Sequence, residues 1–389
     1  MTQDRSKILT QEKDMNRREF VKIVTGACAG SGMILANTQQ VIAKTPRSSE
    51  NKVNDNIQWH DVRNWGVEGR GWEDTDRYFD RLPRRAKDIV REPVWRLSHH
   101  SAGMSVRFRS DSDTIWCRWK LLNKSLAMPH MPATGVSGVD LYARDEHGRW
   151  RWLATGKPTK VEIEQKLVSG LVPGNRDYML YLPLYNGVEA VEIGVAAKAD
   201  FRPCAPRKVK PVVFYGTSIM QGGCASRPGM CHTAILGRRL DRPTINLGFS
   251  GNGKMEAGIA NLTAELDASV YVIDCLPNMD ETMVAQRTEP LVRILRKAHA
   301  KTPIVLVEDR TYSNAFLIPS KQKYHAQKRA ALRKAYDNLT SSGVKELYYV
   351  HGEHLLGDDG DATVDGSHPT DLGFMRLADA METVLRPLV

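Results

Sequence analysis

The sequence lacks the marks of a membrane protein and of a disordered chain. Its apolar stretch at residues 23–36 is short and rich in glycine, whereas a membrane-spanning helix needs about 20 predominantly apolar residues. No internal repeat or low-complexity tract interrupts the 389 residues. Because 41% of the residues are hydrophobic and 26% are charged, the chain can bury a sizeable core. We therefore expect a globular protein without stable membrane insertion, long enough for two domains.

Cysteine is scarce, and its spacing fits no common zinc pattern. The chain has six cysteines, of which five remain if a segment containing Cys28 is removed by processing. An odd number excludes complete pairing within the chain. Cys224 and Cys231 are close enough in sequence to form a disulfide in an oxidising compartment, and the sequence leaves that pairing open.

Acidic residues are outnumbered by basic ones, 45 to 55, which gives a net charge of +10. Such a charge favours acidic surroundings or substrates, for instance an anionic polysaccharide. The basic residues are scattered and form no stripe, so we interpret them as a solvated surface and predict no nucleic-acid partner.

The N-terminus carries an export pattern. Residues 16–22 contain a twin arginine and resemble a Tat signal, and the Val-Ile-Ala sequence that ends at Ala43 suits cleavage by signal peptidase. The sequence therefore predicts a signal peptide at 1–43, a polar linker at 44–56, and a periplasmic or secreted protein. Two alternatives stay open, an amphipathic N-terminal helix and a lipoprotein processed at Cys28.

Residues 57–200 have the pattern of an all-β domain. Short runs that alternate apolar and polar residues recur at 104–109, 114–121, 138–143, 150–153, 178–182 and 188–195. Regular short strands of this kind predict a β-sandwich or jelly roll. All eight tryptophans lie between Trp59 and Trp152, and we interpret them as core residues, with a sugar-stacking surface as the alternative.

After a basic, proline-containing linker at 201–210, strands alternate with helices. The apolar runs lie at 212–215, 244–249, 270–276, 304–307 and 347–350, and helical stretches lie near 232–240, 256–266, 281–300 and 322–341. This alternation predicts an α/β domain at 211–389 with a doubly wound parallel sheet. In that architecture reactive groups gather at the carboxyl ends of the strands.

Two short segments carry the residue types that acyl transfer needs. Ser218 directly follows an apolar run, as expected for a strand that delivers a serine to its carboxyl end, and Asp365 and His368 lie three residues apart before a C-terminal helix. A serine becomes a nucleophile when an imidazole accepts its proton and a carboxylate orients the imidazole. Alone, each segment is more typical of a tight turn or a helix cap. Their joint occurrence predicts a catalytic triad.

Two further segments, residues 246–253 and 274–279, follow the next two predicted strands. With the first two, in this order, they resemble the SGNH hydrolases, which include the GDSL-type esterases and lipases. The resemblance covers about residues 211–389. It implies a flavodoxin-like fold, and the β-rich region before it resembles the accessory domain of two-domain bacterial members.

The resemblance also implies roles for individual residues. Ser218 matches the nucleophile, and Asp365 and His368 match the Asp-x-x-His pair of the family. The backbone N–H groups of Ser218 and Gly251 and the amide of Asn278 match the oxyanion hole, whose donors stabilise the tetrahedral intermediate.

The sequence departs from the family pattern in two places. Thr217 replaces the usual aspartate before the serine, and Asn278 is flanked by proline and methionine where the family has Gly-x-Asn-Asp. Because the aspartate before the serine supports the turn, the first change leaves catalysis intact. The second leaves Asn252 as a competing oxyanion donor, and Gly248 competes with Gly251.

Two other groups of residues are candidates for a functional site. The turn-rich segment 128–132 is interpreted as a structured loop, with the alternative that His130 or Met131 reaches over the catalytic cleft and shapes the substrate pocket. His351 and His354 lack a nearby third ligand, so no metal site is predicted.

Together these features predict an exported serine esterase that forms an acyl-enzyme and uses no metal or organic cofactor. A carbohydrate esterase that removes acetyl groups from acylated glycans is favoured, with another small ester as the alternative substrate. A lipase or thioesterase of the same fold is the second candidate, and a catalytically silent glycan-binding protein is the third. The sequence leaves the oligomeric state open.

Overall fold

A computed structural model describes residues 56–389 of the chain. The predicted signal peptide at 1–43, its alternatives, and all but the last residue of the predicted linker at 44–56 lie outside the described residues. Within the described part, none of the helices combines the length and the apolar character that crossing a bilayer requires.

The first half of the described chain is a β-sandwich, as predicted. Its strands are β1 (Ile57–Asp61), β2 (Ser105–Ser110), β3 (Thr114–Leu121), β4 (Asp140–Arg144), β5 (Trp150–Thr155), β6 (Glu162–Ser169), β7 (Arg176–Tyr181), β8 (Val188–Ala196) and β9 (Phe201–Cys204). They form two antiparallel sheets with the orders β1-β8-β3-β6 and β5-β4-β7-β2-β9. In β3 the alternate residues Ile115, Cys117 and Trp119 point into the core between the sheets, which is the period of two expected for a half-buried strand.

The second half contains a parallel sheet of β10 (Val212–Gly216), β11 (Thr244–Gly248), β12 (Val270–Asp274), β13 (Ile304–Val307) and β14 (Leu347–Val350). Its order is β11-β10-β12-β13-β14. Numbered from the first strand of this sheet, that order is 2-1-3-4-5, which is the flavodoxin-like arrangement. The prediction of a flavodoxin-like, doubly wound sheet is therefore confirmed.

Helices cover both faces of the parallel sheet. The helices of the described chain are α1 (Glu92–Ser98), α2 (Ala133–Val136), α3 (Ser218–Gln221), α4 (His232–Arg239), α5 (Ala257–Thr263), α6 (Glu281–Ala298), α7 (Pro319–Ser341) and α8 (Asp371–Leu385). Along β10, Val213 and Tyr215 pack with α5, α6 and α7, whereas Val212 and Phe214 pack with α4 and α8. A strand buried on both faces explains why β10 is continuously apolar.

The region between β1 and β2 packs on the parallel sheet. Trp72, Leu82 and Val94 belong to the same buried cluster as Val213. Arg81 is 1% exposed, and its Nη1 donates to the carbonyl oxygens of Asn246 and Gly248 in β11 at 3.0 and 2.6 Å. The two halves of residues 56–389 are therefore joined through this cluster, whereas the core between the two sheets of the sandwich is separate.

Candidate active site

The carboxyl ends of β10, β11 and β12 lie level with one another. Gly216 at the end of β10 pairs with Gly248 of β11 on one side and with Asp274 of β12 on the other. The strand order reverses at β10, and ligands of open α/β sheets bind in the crevice at such a point. Segments that follow these three strands are thus brought together by the sheet itself.

Ser218 lies at the tip of β10, where the chain turns into α3. A Cβ atom at position 216 would lie 2.6 Å from the carbonyl oxygen of Asp274, so only glycine fits at the strand end. Thr217 caps α3, because its Oγ1 accepts the N–H of Ile219 at 3.3 Å. The predicted role of Thr217 in supporting the turn agrees with this contact.

Ser218, His368 and Asp365 form a continuous hydrogen-bonded chain. Ser218 Oγ lies 2.8 Å from His368 Nε2, and His368 Nδ1 lies 2.7 Å from Asp365 Oδ2. The other carboxylate oxygen, Asp365 Oδ1, accepts the backbone N–H groups of Ser367 and His368 at 3.0 and 2.8 Å. Donation of Nδ1–H to Asp365 leaves Nε2 as the atom that can accept the serine proton.

The hydrogen bonds also set the charge of Asp365. Partial burial raises the pKa of this carboxyl, but the bonds from the backbone and imidazole of His368 and from the N–H of Ser367 outweigh burial and lower its pKa to about 2. Asp365 is therefore an anion at neutral pH, as the partner of an imidazole that takes up a proton must be.

Gly251 and Asn278 lie on the loops that follow β11 and β12. Gly251 has φ +69°, a left-handed conformation that glycine adopts without strain. Asn278 Oδ1 accepts the N–H of Gly253 at 3.2 Å, which fixes the carboxamide, and within residues 56–389 its Nδ2 has no acceptor. An oriented and unused donor is what a developing oxyanion requires.

The two competing oxyanion donors are engaged elsewhere. Asn252 Nδ2 donates to Ser250 O at 2.8 Å, and Asn252 Oδ1 accepts from Arg91 Nη1 at 2.8 Å. The N–H of Gly248 donates to the side-chain oxygen of Asn246 at 2.9 Å. These bonds favour Gly251 and Asn278 over Asn252 and Gly248.

Comparisons with known proteins agree with the fold. The GDSL-like lipase/acylhydrolase family matches residues 209–386, and the N-terminal region of SGNH hydrolase-type esterases matches residues 57–201. A protein from Bacteroides ovatus described as a GDSL-like lipase is 31% identical, with a TM-score of 0.81, and the match covers 86% of this chain and 98% of that one. The chain belongs to the GDSL-like, or SGNH, hydrolase family.

More distant structures share the fold of this SGNH hydrolase. The salicylyl-acyltransferase SsfX3 from a tetracycline biosynthetic pathway is 19% identical, with a TM-score of 0.68, and the match covers 85% of this chain and 97% of that one. A family two carbohydrate esterase from Cellvibrio japonicus is 14% identical, with a TM-score of 0.54 and coverage of 85% and 98%. No curated protein matches the chain.

The structure adds one residue that sequence reasoning missed, Gln221 at the end of α3. Its Oε1 accepts the N–H of Ser250 at 3.1 Å, and its Nε2 contacts His100 Nδ1 at 2.9 Å and Leu184 O at 3.0 Å. Burial, assisted by the charge of Arg81, lowers the pKa of His100 to about 3, so its neutral ring accepts this bond. Gln221 thus joins the helix of Ser218 to the loop of Gly251. No local signal in the sequence marks a pairing that depends on three distant segments.

The remaining candidates are placed as follows. His130 is exposed, and its ring centroid lies 5.7 Å from that of His368, whereas Met131 is 2% exposed and packs in the core. Their influence on the substrate pocket stays a prediction. His351 contacts Arg333, and His354 pairs with Asp358.

The cysteines that could have formed a disulfide are separate thiols. Cys224 and Cys231 are both buried and both free. The thiol of Cys231 contacts Met220 O and Thr233 Oγ1 at 3.6 and 3.3 Å.

Proposed function

We propose that this SGNH hydrolase is an exported serine esterase that cleaves carboxylic esters through an acyl-enzyme on Ser218. The observation that carries the proposal is the hydrogen-bonded chain from Ser218 Oγ through the His368 ring to Asp365, with contacts of 2.8 and 2.7 Å. A hydroxyl, an imidazole and an ionised carboxylate in this order generate an alkoxide-like nucleophile at neutral pH.

The reaction follows from the positions of these groups. Ser218 Oγ attacks the ester carbonyl carbon while His368 Nε2 takes the hydroxyl proton, and Asp365 stabilises the imidazolium. The negative charge on the carbonyl oxygen is received by the N–H groups of Ser218 and Gly251 and by Asn278 Nδ2.

Collapse of the first tetrahedral intermediate breaks the ester bond. The alcohol leaves with the proton from His368 Nε2, and the acyl group remains on Ser218 Oγ. Water then loses a proton to Nε2 and attacks the acyl carbonyl. The second tetrahedral intermediate breaks its bond to Ser218 Oγ, which takes the proton back from Nε2, and the acid is released. Each step uses only the ester, water and groups of the chain.

Among esters, an acetylated glycan is the substrate that we favour. Structures of family two carbohydrate esterases share the fold, and one from Clostridium thermocellum is a complex with cellohexaose. The indole of Trp152 is 52% exposed on the sandwich, and aromatic faces of this kind suit sugar rings. The twin-arginine pattern at residues 16–22 supports an extracytoplasmic site of action, where such glycans occur.

A lipase or thioesterase is the second candidate, and one feature favours it. Phe316 and Leu317 are 74% and 76% exposed on the segment that follows β13. This segment is tied to the loop of Asp365, because the N–H of Ser313 donates to Gly366 O at 3.0 Å. Exposed apolar side chains near the site would suit a longer acyl chain.

The decisive experiment combines turnover with covalent labelling. The full chain should hydrolyse p-nitrophenyl acetate and be labelled by a fluorophosphonate on Ser218, and both properties should vanish in Ser218→Ala. Ser226→Ala is the matched control, since Ser226 Oγ donates to a carboxylate of Asp371 and not to an imidazole. An intact protein with no turnover and no label would be the silent glycan-binding protein.

Two further measurements settle the finer parts. Among acetyl, butyryl and octanoyl esters, the acetyl ester should be hydrolysed fastest, whereas a preference for octanoyl would favour the lipase. Acetate should also be released from members of a panel of acetylated glycans. A reporter fused to residues 1–43 should be exported, and R17K/R18K should retain it in the cytoplasm.

A further inference from the structure

We propose that His130, Cys224 and His368 form an inhibitory binding site for a thiophilic divalent metal ion of the Zn²⁺ type at the entrance of the active site. One ring nitrogen of each histidine and Cys224 Sγ all lie within 4.8 Å of one another. A thiolate with two imidazoles is a donor set that Zn²⁺ binds in proteins, and a fourth position remains for water.

The three residues come from three separate segments. His130 lies in the connection between β3 and β4, Cys224 follows α3, and His368 precedes α8. In a tetrahedral zinc site the donor atoms are about 3.5 Å apart, so no pair of these donors has to approach by more than about 1.3 Å. The side chain of His130 is exposed, so it is the donor that would move, whereas Cys224 is buried and His368 is held by its contacts with Ser218 and Asp365.

The backbone of Cys224 supports a specific role for its thiol. Cys224 has φ +76°, and it occupies the third position of a turn in which the N–H of Ala225 donates to Gly222 O at 3.0 Å. That position strongly favours glycine, and the preceding residues are themselves glycines. A side chain retained in a strained conformation beside a candidate catalytic histidine is an observation that points to function.

The partner of His368 supports metal binding as well. Asp365 Oδ2 holds His368 Nδ1 at 2.7 Å, which leaves Nε2 for the metal. A carboxylate bonded to the far nitrogen of a ligating histidine is the usual outer partner in zinc sites, where it orients the ring and raises its basicity. The contact that prepares His368 for catalysis therefore also prepares it for a metal.

Metal binding and catalysis would exclude each other. An ion on Nε2 takes up the lone pair that otherwise accepts the proton of Ser218, so this consequence rests on the proposed function. Binding converts the Cys224 thiol to a metal thiolate and releases its proton to solvent, with no change of oxidation state. The ion would thus act as a reversible inhibitor.

Inhibition can be measured with the full chain and p-nitrophenyl acetate. Zn²⁺ should inhibit and a chelator should restore the rate. In Cys224→Gly, which suits the backbone and removes the sulfur, the inhibition constant should rise at least about tenfold, and His130→Gln should also raise it. Cys204→Ser is the matched control, because Cys204 is a half-buried thiol in the sandwich, and it should leave the constant unchanged. Equal inhibition of Cys224→Gly and the wild type would overturn the proposal.

A second readout does not depend on activity. Co²⁺ added to Ser218→Ala should give a thiolate-to-cobalt charge-transfer band, and the band should disappear in the double variant that also carries Cys224→Gly. If the wild-type protein hydrolyses no ester while Ser218→Ala shows this band, the proposed function is overturned and the metal site stands. Absence of the band, or its persistence without Cys224, would overturn the metal site.

Discussion

The candidate site has two halves that are held in different ways: a sheet half of Ser218, Gly251 and Asn278, and a C-terminal half of Asp365 and His368. Ser218 is 6% exposed, Asn278 is half-buried and Gly251 is exposed, and each of the three follows a strand of the parallel sheet. The side chains of Asp365 and His368 are 41% and 24% exposed and lie on a surface loop. The first half is positioned by the hydrogen-bonded ladder of three strands, whereas the second depends on bonds within and between loops.

In the C-terminal half, local hydrogen bonds therefore have to supply the rigidity that the parallel sheet supplies in the sheet half. The N–H of Val364 donates to His368 O at 2.8 Å, and Ser313 N–H donates to Gly366 O at 3.0 Å. A loop closed on itself in this way can orient an imidazole at the surface. The two halves should therefore respond differently to substitution.

The largest loss of activity is expected from a change in the C-terminal half. Asp365→Asn removes the acceptor that selects the Nδ1–H tautomer of His368, so kcat should fall by about 10⁴-fold with little change in Tm. The matched control is Asp358→Asn, because Asp358 also pairs with an exposed histidine, His354, away from the triad. Steady-state rates of p-nitrophenyl acetate hydrolysis test this, and a loss below tenfold would assign the orientation of His368 to other contacts.

The sheet half should lose activity when one of its proposed oxyanion donors is removed. Asn278→Ala removes one donor and should lower kcat by about 10²–10³-fold. Asn252→Ala, in the neighbouring loop, should have a much smaller effect because its carboxamide already bonds Ser250 and Arg91. If the two variants exchanged their effects, Asn252 would be the donor.

A change at Gln221 tests whether the sheet half needs the hydrogen bonds that this side chain makes. Gln221→Leu keeps the size but breaks the bonds to Ser250 and His100, so the loop of Gly251 can shift, and a displacement of about 1 Å costs up to about 10²-fold in rate. A positioning residue should lower kcat and leave KM nearly constant at temperatures well below Tm. A lower Tm with unchanged kcat would show that Gln221 is structural only.

A change at Gly366 tests whether the loop of the C-terminal half must keep its conformation. It has φ +92°, and a Cβ atom there would lie 3.2 Å from the Asn314 side chain. Gly366→Ala adds strain of about 1–2 kcal/mol to the active conformation, which corresponds to about tenfold in kcat. Gly360→Ala is the control, because Gly360 has φ +83° with open space around it, and it should leave kcat unchanged while lowering Tm similarly.

The last prediction concerns stability in acid and not the rate of hydrolysis. Burial, assisted by Arg81, lowers the pKa of His100 to about 3, and burial lowers that of His232 to about 3. Between pH 6.5 and 3 the unfolded chain binds protons that the folded chain excludes. As the pH is lowered through this range, the free energy of unfolding decreases by about 1.4 kcal/mol per pH unit for each histidine.

This acid sensitivity is measurable as Tm between pH 7 and pH 5. His232→Gln should reduce the dependence, and His147→Gln, a change at an exposed histidine, should not. An identical pH dependence in the two variants would contradict the assignment to burial.

The sequence predicted the α/β half of the fold well because its signals are local. Continuously apolar strands mark a sheet covered on both faces, and Ser218, Asn278 and His368 follow recognisable segments. In the sandwich, the edge strands β1, β6 and β9 were missed. β9 contains Pro203, which an edge strand tolerates but which resembles a linker in sequence.

The rest of the site could not be predicted because it is built from distant contacts. Gln221 gains its role from Ser250 and His100, and His100 approaches it only when residues 62–104 pack on the parallel sheet. The sequence suggests Cys224 only as a partner for Cys231. Its proximity to His368 depends on how the turn after α3 meets the C-terminal loop.

The bonds of Arg81 to Asn246 and Gly248 have a consequence for solubility. β11 is an edge strand, and the carbonyls of alternate residues on such an edge would otherwise be open to pairing with a strand of another molecule. The Arg81 guanidinium donates to two of these carbonyls, so they are not available to pair with a sixth strand. The region before β2 is thus a guard against aggregation, and an engineered hydrolase that starts at β10 would lose that protection.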